Sequence, residues 1–394
     1  MSVRRIAVLG NHSPRQCGIA TFTEDLAQAL AEDNPDAEVM VVAMNDGRTY
    51  QYPARVQLTI EQHDIAAYET AAEQLNARGI DVLSVQHEFG IFGGSAGSFL
   101  LTLLRQVRAP IVTTLHTVLE RFTPEQSLVV EELAALSDKI VVMSERAVRF
   151  LVAQGIARDK IAFIHHGIHA IDADREAEKE RLGLSGRSLI LTFGLLSPNK
   201  GIETAIRALP AVVRDFPDVT YLVLGATHPN IRMRHGEAYR DQLVRLATEL
   251  GVAGHVRFDN TFVDREELTR YLAATDVYLV PYLSREQITS GTLAYAMGNG
   301  RAVVSTPFWY AEELLADGRG LLVPFENPAA TATELRELLG EPDRRVAMER
   351  RARAYGEQMR WPNVASEYAC LFDTVLRVPA WCMDRMLVLR RRVT

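Results

Sequence analysis

Short runs of apolar and β-branched residues recur along this chain, and stretches with helical periodicity separate them. In the first half the runs are 6–9, 82–85, 111–115, 140–143 and 161–164. In the second half they are 189–193, 221–224, 256–258, 277–280, 302–305 and 321–323. Runs this short, with no polar face, predict strands buried on both sides. Between them, Phe22, Leu26 and Leu30 fall on one helical face, as do Leu243, Leu246, Ala247 and Leu250. Strand and amphipathic helix alternate throughout. That order predicts an α/β protein with parallel sheets and helices on both faces.

The alternation breaks once. The segment 170–188 is charged and lacks strand character, and it includes Asp172-Ala-Asp-Arg-Glu-Ala-Glu-Lys-Glu-Arg181. It marks a domain boundary, although it also reads as an ordinary solvated helix. A chain of 394 residues suits two domains. The expected division is 1–172, 173–372 and a helical tail, 373–394, packing back on the N-terminal domain. Ligands in such sheets bind beyond the carboxyl ends of the strands, and clefts form between domains. The informative residues are therefore those that follow strands.

Composition narrows the class. Hydrophobic residues make up 47% and charged residues 24%, as in soluble globular proteins. A net charge of -7 excludes broad electrostatic attraction to nucleic acid. Cys17, Cys370 and Cys382 have no C-x-x-C spacing, so neither a disulfide framework nor a zinc site is expected, and a reducing cytoplasmic setting fits. The apolar stretch after Arg4-Arg5 is too short for a signal-peptide core and reads as a first strand. No segment is apolar for long enough to suggest a membrane span. Leu387-Val-Leu-Arg-Arg-Arg392 could touch anionic lipid at the membrane periphery, but such a tail is more often a solvated helix end.

Five strand exits carry candidate chemistry. After the first strand, Gly10-Asn-His-Ser-Pro-Arg-Gln-Cys-Gly-Ile-Ala-Thr-Phe22 leads into a helix. Gly18 and Ala20 permit close approach there, Thr21 or Thr23 is a candidate cap, and the helix N-terminus offers free N–H groups. A purely structural turn is the alternative. A second exit delivers Gln86, His87 and Glu88 ahead of a glycine-rich loop, and a third delivers His116. Gln86, His87 and Glu88 are either binding residues or hydrogen-bonded groups closing the sheet, and His116 either donates to a sugar hydroxyl or stabilises developing charge, or is structural.

The fourth exit places Lys200, in Asn199-Lys-Gly201, just before an amphipathic helix. A mobile ammonium beside free helix N–H groups suits a phosphate. The fifth is Arg285-Glu-Gln-Ile-Thr-Ser-Gly-Thr-Leu-Ala-Tyr-Ala-Met-Gly298. Gly291 allows close approach, Thr292 and Leu293 can offer N–H groups to a diphosphate, and Ser290 opens the helix. Glu286 and Gln287 can accept from sugar hydroxyls, and Tyr295 is expected to face the same mouth. His165 and His166 point to opposite faces of a strand, and no D-x-D pair stands at a strand exit, so no metal site is expected.

These residues together resemble a family 4 glycosyltransferase, and the likeness covers nearly the whole chain. Gln16-Cys-Gly-Ile-Ala-Thr21 matches the family's loop after strand one, and His116 its histidine near the donor sugar. The stretch 140–144 followed by 160–168 resembles the close of the N-terminal domain, with His166-Gly167 in place of Asn-Gly. The diphosphate lysine falls on Lys200, and Leu293-Ala-Tyr-Ala-Met297 resembles the Leu-Glu-Ala-Met signature. The segment 239–280 resembles the family's run of helix, strand, Glu-Glu-Leu helix and Ala-Asp strand. Two positions depart from the pattern. Leu195 stands where the family has a phosphate-binding arginine, and Gln287 and Tyr295 replace the glutamates of its E-x7-E pair.

The resemblance implies a GT-B architecture, in which two Rossmann-like domains face each other across a cleft. The N-terminal domain would take the acceptor and the C-terminal domain the donor. It implies transfer of a hexose from a nucleotide-diphosphate sugar, GDP- or UDP-linked, to a carbohydrate acceptor with retention and without metal or other cofactor. His116, Lys200, Glu286 and Gln287 would serve catalysis. Gly18, Ser290, Gly291, Thr292, Leu293 and Tyr295 would bind donor with Lys200. Gln86, His87 and Glu88 would lie on the acceptor or sugar side. A sugar-nucleotide epimerase, a glycoside phosphorylase and a sugar-nucleotide-binding protein with weakened catalysis are the competing readings.

Overall fold

A computed structural model describes residues 3–376. The chain divides into two compact units. The first runs to Gly167 and resumes at Trp361, and the second is Ile168–Arg360.

The first unit holds a sheet of seven parallel strands: β1 Arg5–Gly10, β2 Glu38–Asn45, β3 Val56–Glu61, β4 Val82–His87, β5 Ile111–Leu115, β6 Lys139–Val142 and β7 Ile161–Phe163. Their order is β3-β2-β1-β4-β5-β6-β7, so the direction of winding reverses between β1 and β4. The second unit holds β8 Ser188–Phe193, β9 Val219–Leu224, β10 Val256–Asp259, β11 Val277–Val280, β12 Ala302–Ser305 and β13 Leu321–Leu322. Their order is β10-β9-β8-β11-β12-β13, with the reversal between β8 and β11. A crevice opens at such a reversal because the connections leave on opposite faces. The loops after β1, β4, β8 and β11 border these two points, and they carry four of the five candidate motifs.

Two strands escaped the sequence reading. β2 is an almost fully buried apolar strand, whereas β3 is an edge strand in which only Ile60 is fully buried. An edge strand wetted on one face lacks the continuous apolar run that identified the others. The unit boundaries also differ from the expected ones, lying at Gly167/Ile168 and Arg360/Trp361 instead of 172/173 and 372/373. The cause of the second shift is the helix Trp361–Leu376. It buries Trp361, Val364, Ala365, Tyr368, Phe372 and Val375 among Val8, Phe22 and Leu26 of the first unit. The Tyr368 hydroxyl also meets Thr114 Oγ1 at 2.9 Å on β5. Beyond Leu376 the expected tail, including its arginines and Cys382, lies outside the described residues.

The charged segment after the first boundary is more than a solvated helix. Helix Arg175–Arg181 sends Lys179 inward to Asp276, with Nζ 2.8 Å from Oδ2. The same carboxylate accepts from the Leu189 N–H at 2.8 Å and lies 3.5 Å from Arg175. One acid thus ties this helix to β8 and to the start of β11. Among the described residues, no helix is long and apolar enough to cross a membrane.

Candidate functional site

In the second unit the site grows from the ends of β8 and β11. After β8 the chain passes through Gly194, whose φ of 127° favours glycine. A Cβ there would sit 3.3 Å from Thr292 Cγ2 and 3.9 Å from Lys200 Nζ. Backbone from one loop therefore approaches both key side chains closely. Lys200 closes a short 3₁₀ turn, Pro198–Lys200, just ahead of helix Ile202–Asp215. Its Nζ donates to the Tyr282 hydroxyl at 2.6 Å.

From the β11 side comes helix Gly291–Gly298. Ser290 is its N-cap, and Ser290 Oγ accepts from the Leu293 N–H at 3.4 Å. In this structure the Leu293 N–H is therefore directed at the cap. Gly291 and Thr292 precede it, in the first turn, where N–H groups have no acceptor within the helix. Thr292 Oγ1 lies 2.8 Å from the Tyr282 hydroxyl and 3.2 Å from Ser290 Oγ. A cation, three hydroxyls and a helix N-terminus are thereby gathered in one place. Burial raises the Tyr282 phenol pKa, but the Lys200 ammonium and hydrogen bonds from Lys200, Thr292 and Ser290 outweigh it and lower the phenol below its ordinary value. Tyr282 escaped the sequence reading. Its signal was a lone tyrosine at a strand exit, between Pro281 and Leu283.

The other candidates of this unit are arranged more loosely. Glu286 is exposed. Gln287 is half-buried, and its Nε2 donates to the Thr289 carbonyl at 3.1 Å. Tyr295 packs against the core and stacks on His169, with ring centroids 6.5 Å apart.

In the first unit, His116 follows β5 and remains half-buried. Its Nε2 lies 3.1 Å from Gln86 Oε1, so with the amide oxygen facing it the ring donates. Phe22 packs edge-on against it, with centroids 4.8 Å apart. Burial, reinforced by His166 and His87, pushes its pKa down, which keeps the ring neutral. Gln86 is fully buried, and Ser84 Oγ holds its amide nitrogen at 3.2 Å. Gln86 thus presents its amide oxygen to His116 from a fully buried position.

His87 lies deeper than the sequence suggests. It is fully buried, stacked on Phe92 and edge-on to Phe89. Glu88 caps the 3₁₀ turn Phe89–Ile91, accepting from the Phe89 N–H at 3.0 Å and from Thr117 Oγ1 at 2.5 Å. Helix Gly18–Asp33 is capped by Cys17, whose Sγ accepts from the Ala20 N–H at 3.3 Å. The expected caps are not used: Thr23 donates within the helix, to the Ile19 carbonyl at 2.8 Å. Gly18 is exposed, and a Cβ there would meet nothing within 4 Å.

Two buried histidines make this unit acid-sensitive. Burial pushes His87 down to about 3 and His166 to about 4. In the unfolded chain each titrates near ~6.5, so it binds protons there that the folded state refuses. Stability from this source is complete above about pH 6.5 and falls as pH drops towards the folded values, by up to about 1.4 kcal/mol per pH unit for each ring. Urea unfolding measured from pH 7 to 4.5 should show a flatter pH dependence for His87→Leu than for the wild type. An identical dependence in the two would contradict the assignment.

Among the described residues, no group of three His, Cys, Asp or Glu side chains gathers to hold a metal ion.

Comparison with known proteins matches both units to families. Residues 17–170 fit the model "Glycosyltransferase Family 4", and residues 174–355 fit "Glycosyl transferases group 1". The chain is 29% identical to a phosphatidyl-myo-inositol mannosyltransferase of Mycobacterium tuberculosis over 363 residues, covering 89% of this chain and 88% of that protein. It is 25% identical to a D-inositol 3-phosphate glycosyltransferase of Streptomyces coelicolor, covering 95% and 92%. Over a shorter stretch, 48% of this chain and 50% of the other, it is 31% identical to a GDP-mannose-dependent alpha-(1-6)-phosphatidylinositol monomannoside mannosyltransferase of Mycolicibacterium smegmatis.

The fold matches Anabaena HepE, solved with UDP and glucose, at TM-score 0.74 and 18% identity, covering 94% of this chain and all (100%) of that one. It also matches a sucrose-phosphate synthase of Thermosynechococcus elongatus at TM-score 0.76 and 17% identity, covering 95% and 100%. Two parallel-sheet units, the family models that cover them and these structural likenesses agree: the chain belongs to glycosyltransferase family 4 and is a glycosyltransferase with the GT-B fold.

Proposed function

We propose that this chain moves a hexose from a nucleotide-diphosphate sugar to a hydroxyl acceptor, with retention of anomeric configuration and without a metal ion. The observation that carries this reading is the cluster of Lys200, Tyr282 and Thr292 at the N-terminus of helix Gly291–Gly298. In the reaction the bond from the anomeric carbon to the diphosphate oxygen breaks, and its electron pair stays on the leaving group. Negative charge therefore grows on the diphosphate. An ammonium and helix N–H groups already in place stabilise that charge without reorganising. The acceptor hydroxyl forms the new bond on the face from which the diphosphate leaves, and its proton passes to the departing phosphate oxygen. His116, held neutral and oriented by Gln86, is assigned the sugar hydroxyls, with Glu286 and Gln287 as further sugar contacts.

The relatives named above support GDP-mannose and UDP-glucose as the first donors to assay, and inositol-type polyols as the first acceptors. The test is incubation with each donor and acceptor in the presence of EDTA, followed by NMR of the product. Retained configuration and undiminished turnover in EDTA are expected. An inverted product sinks the retaining mechanism. Epimerised donor, formed without acceptor, sinks the transferase reading.

A further inference from the structure

We propose that Tyr282 is a positioning residue for the donor diphosphate, holding the Lys200 ammonium against the N-terminus of helix Gly291–Gly298. The proposal rests on the reading of Lys200 as the diphosphate ligand.

Three observations carry it. The first is that Tyr282 is itself held fast. Its side chain is buried, and its ring stacks on Phe308 with centroids 5.3 Å apart and planes inclined at 21°. Its carbonyl accepts from Thr306 Oγ1 at 2.6 Å. The phenol oxygen is therefore a fixed point, set by packing that has nothing to do with a ligand.

The second is where that oxygen sits. It accepts from Lys200 Nζ at 2.6 Å and pairs with Thr292 Oγ1 at 2.8 Å. The ammonium also lies 3.9 Å from the ring centroid, within the range of cation–π attraction. Lys200 follows β8, Thr292 follows β11, and 82 residues separate Lys200 from Tyr282. One hydroxyl thus joins two phosphate-binding segments that no local sequence connects.

The third is valence. An ammonium has three N–H donors. With one directed at Tyr282, two remain for phosphate oxygens. A free lysine samples many rotamers and loses that freedom on binding, whereas one already tethered loses less. The phenol thereby contributes to diphosphate binding through Lys200, without touching the ligand. Its lowered pKa, which follows from the ammonium beside it, agrees with this geometry.

The test is calorimetry on the full chain with GDP, UDP, GMP and UMP as probes, for the wild type, Tyr282→Phe, Lys200→Ala and the double variant. Phenylalanine keeps the ring and its stacking and removes only the hydroxyl. For whichever diphosphate binds the wild type, the affinity should fall about tenfold in Tyr282→Phe, the worth of one charge-assisted hydrogen bond. It should fall further in Lys200→Ala, and the double variant should bind no more weakly than Lys200→Ala alone. The matching monophosphate should bind all four proteins alike.

Unchanged diphosphate affinity in Tyr282→Phe, with the loss in Lys200→Ala intact, overturns the positioning role and leaves the Lys200 reading standing. Equal weakening of diphosphate and monophosphate in Tyr282→Phe shows general damage and overturns it too. Additive losses in the double variant would mean that Tyr282 acts independently of Lys200, again against the proposal. Unchanged affinity in Lys200→Ala, or binding of neither GDP nor UDP by the wild type, brings down the underlying reading.

Discussion

Replacement of Lys200 by alanine is expected to lower kcat/KM for sugar transfer by about 10²–10³-fold, the loss typical of removing one preorganised donor from a site of developing negative charge. Charge on the leaving diphosphate is greatest in the transition state, so kcat should fall as well as donor affinity. Thr292 and the helix N-terminus would still meet the phosphates, which sets a floor to the loss. The fold should survive, because Lys200 is only half-buried and Tyr282 keeps its contact with Thr292. Initial rates of GDP or UDP release with acceptor present, together with a thermal melt of the variant, test this directly. Wild-type turnover in Lys200→Ala would remove the basis of the proposed mechanism.

The second large effect is on stability and concerns Asp276, a residue away from the Lys200 cluster. Its carboxylate is buried against Lys179, which is buried too: each side chain keeps only 6% of its surface exposed. It also accepts the Leu189 N–H. Asp276→Ala would leave the Leu189 N–H without its acceptor and the buried Lys179 ammonium with only the mostly exposed Glu176 carboxylate, 3.0 Å away, as a partner. Breaking a buried pair in this way costs about 3–5 kcal/mol. Guanidinium unfolding should show the transition of the second unit moved to clearly lower denaturant. Lys179→Met combined with Asp276→Asn should recover part of the loss, since the amide oxygen can still accept from Leu189, neither charge of the Lys179–Asp276 pair is left alone, and Arg175 keeps Glu349 at 2.6 Å. A shift no larger than that of a surface ion pair, below about 1 kcal/mol, would show that water reaches the pair.

The sequence reading and the structure part company at identifiable places. Lys200 and Ser290-Gly291-Thr292 were legible because each lies between a buried apolar run and an amphipathic helix, and such junctions are where parallel sheets present their strand ends. Gln86 and His87 were singled out by the same rule, and the structure buries both. Proximity to a strand exit does not say which way a side chain points. The cap at Cys17 was missed because a thiol is an uncommon acceptor, and Thr21 and Thr23 nearby have the commoner chemistry. Tyr282 was missed because its partners, Lys200 and Thr292, lie on other elements.

The sequence by itself determined the class of architecture, most of the strands and the strand-to-helix loops that hold Lys200 and Ser290-Gly291-Thr292. These follow from local periodicity and from which residue types can begin a helix, and both can be read within a short window. Only the tertiary structure decided which strands lie side by side, where winding reverses, and that helix Trp361–Leu376 belongs to the first unit. Those outcomes rest on contacts between residues far apart in the chain: Tyr368 with Thr114 across 254 positions, Asp276 with Leu189 across 87, and Lys200 with Tyr282 across 82. No local pattern encodes such pairs, because they come together only when the apolar faces that carry them are buried against one another.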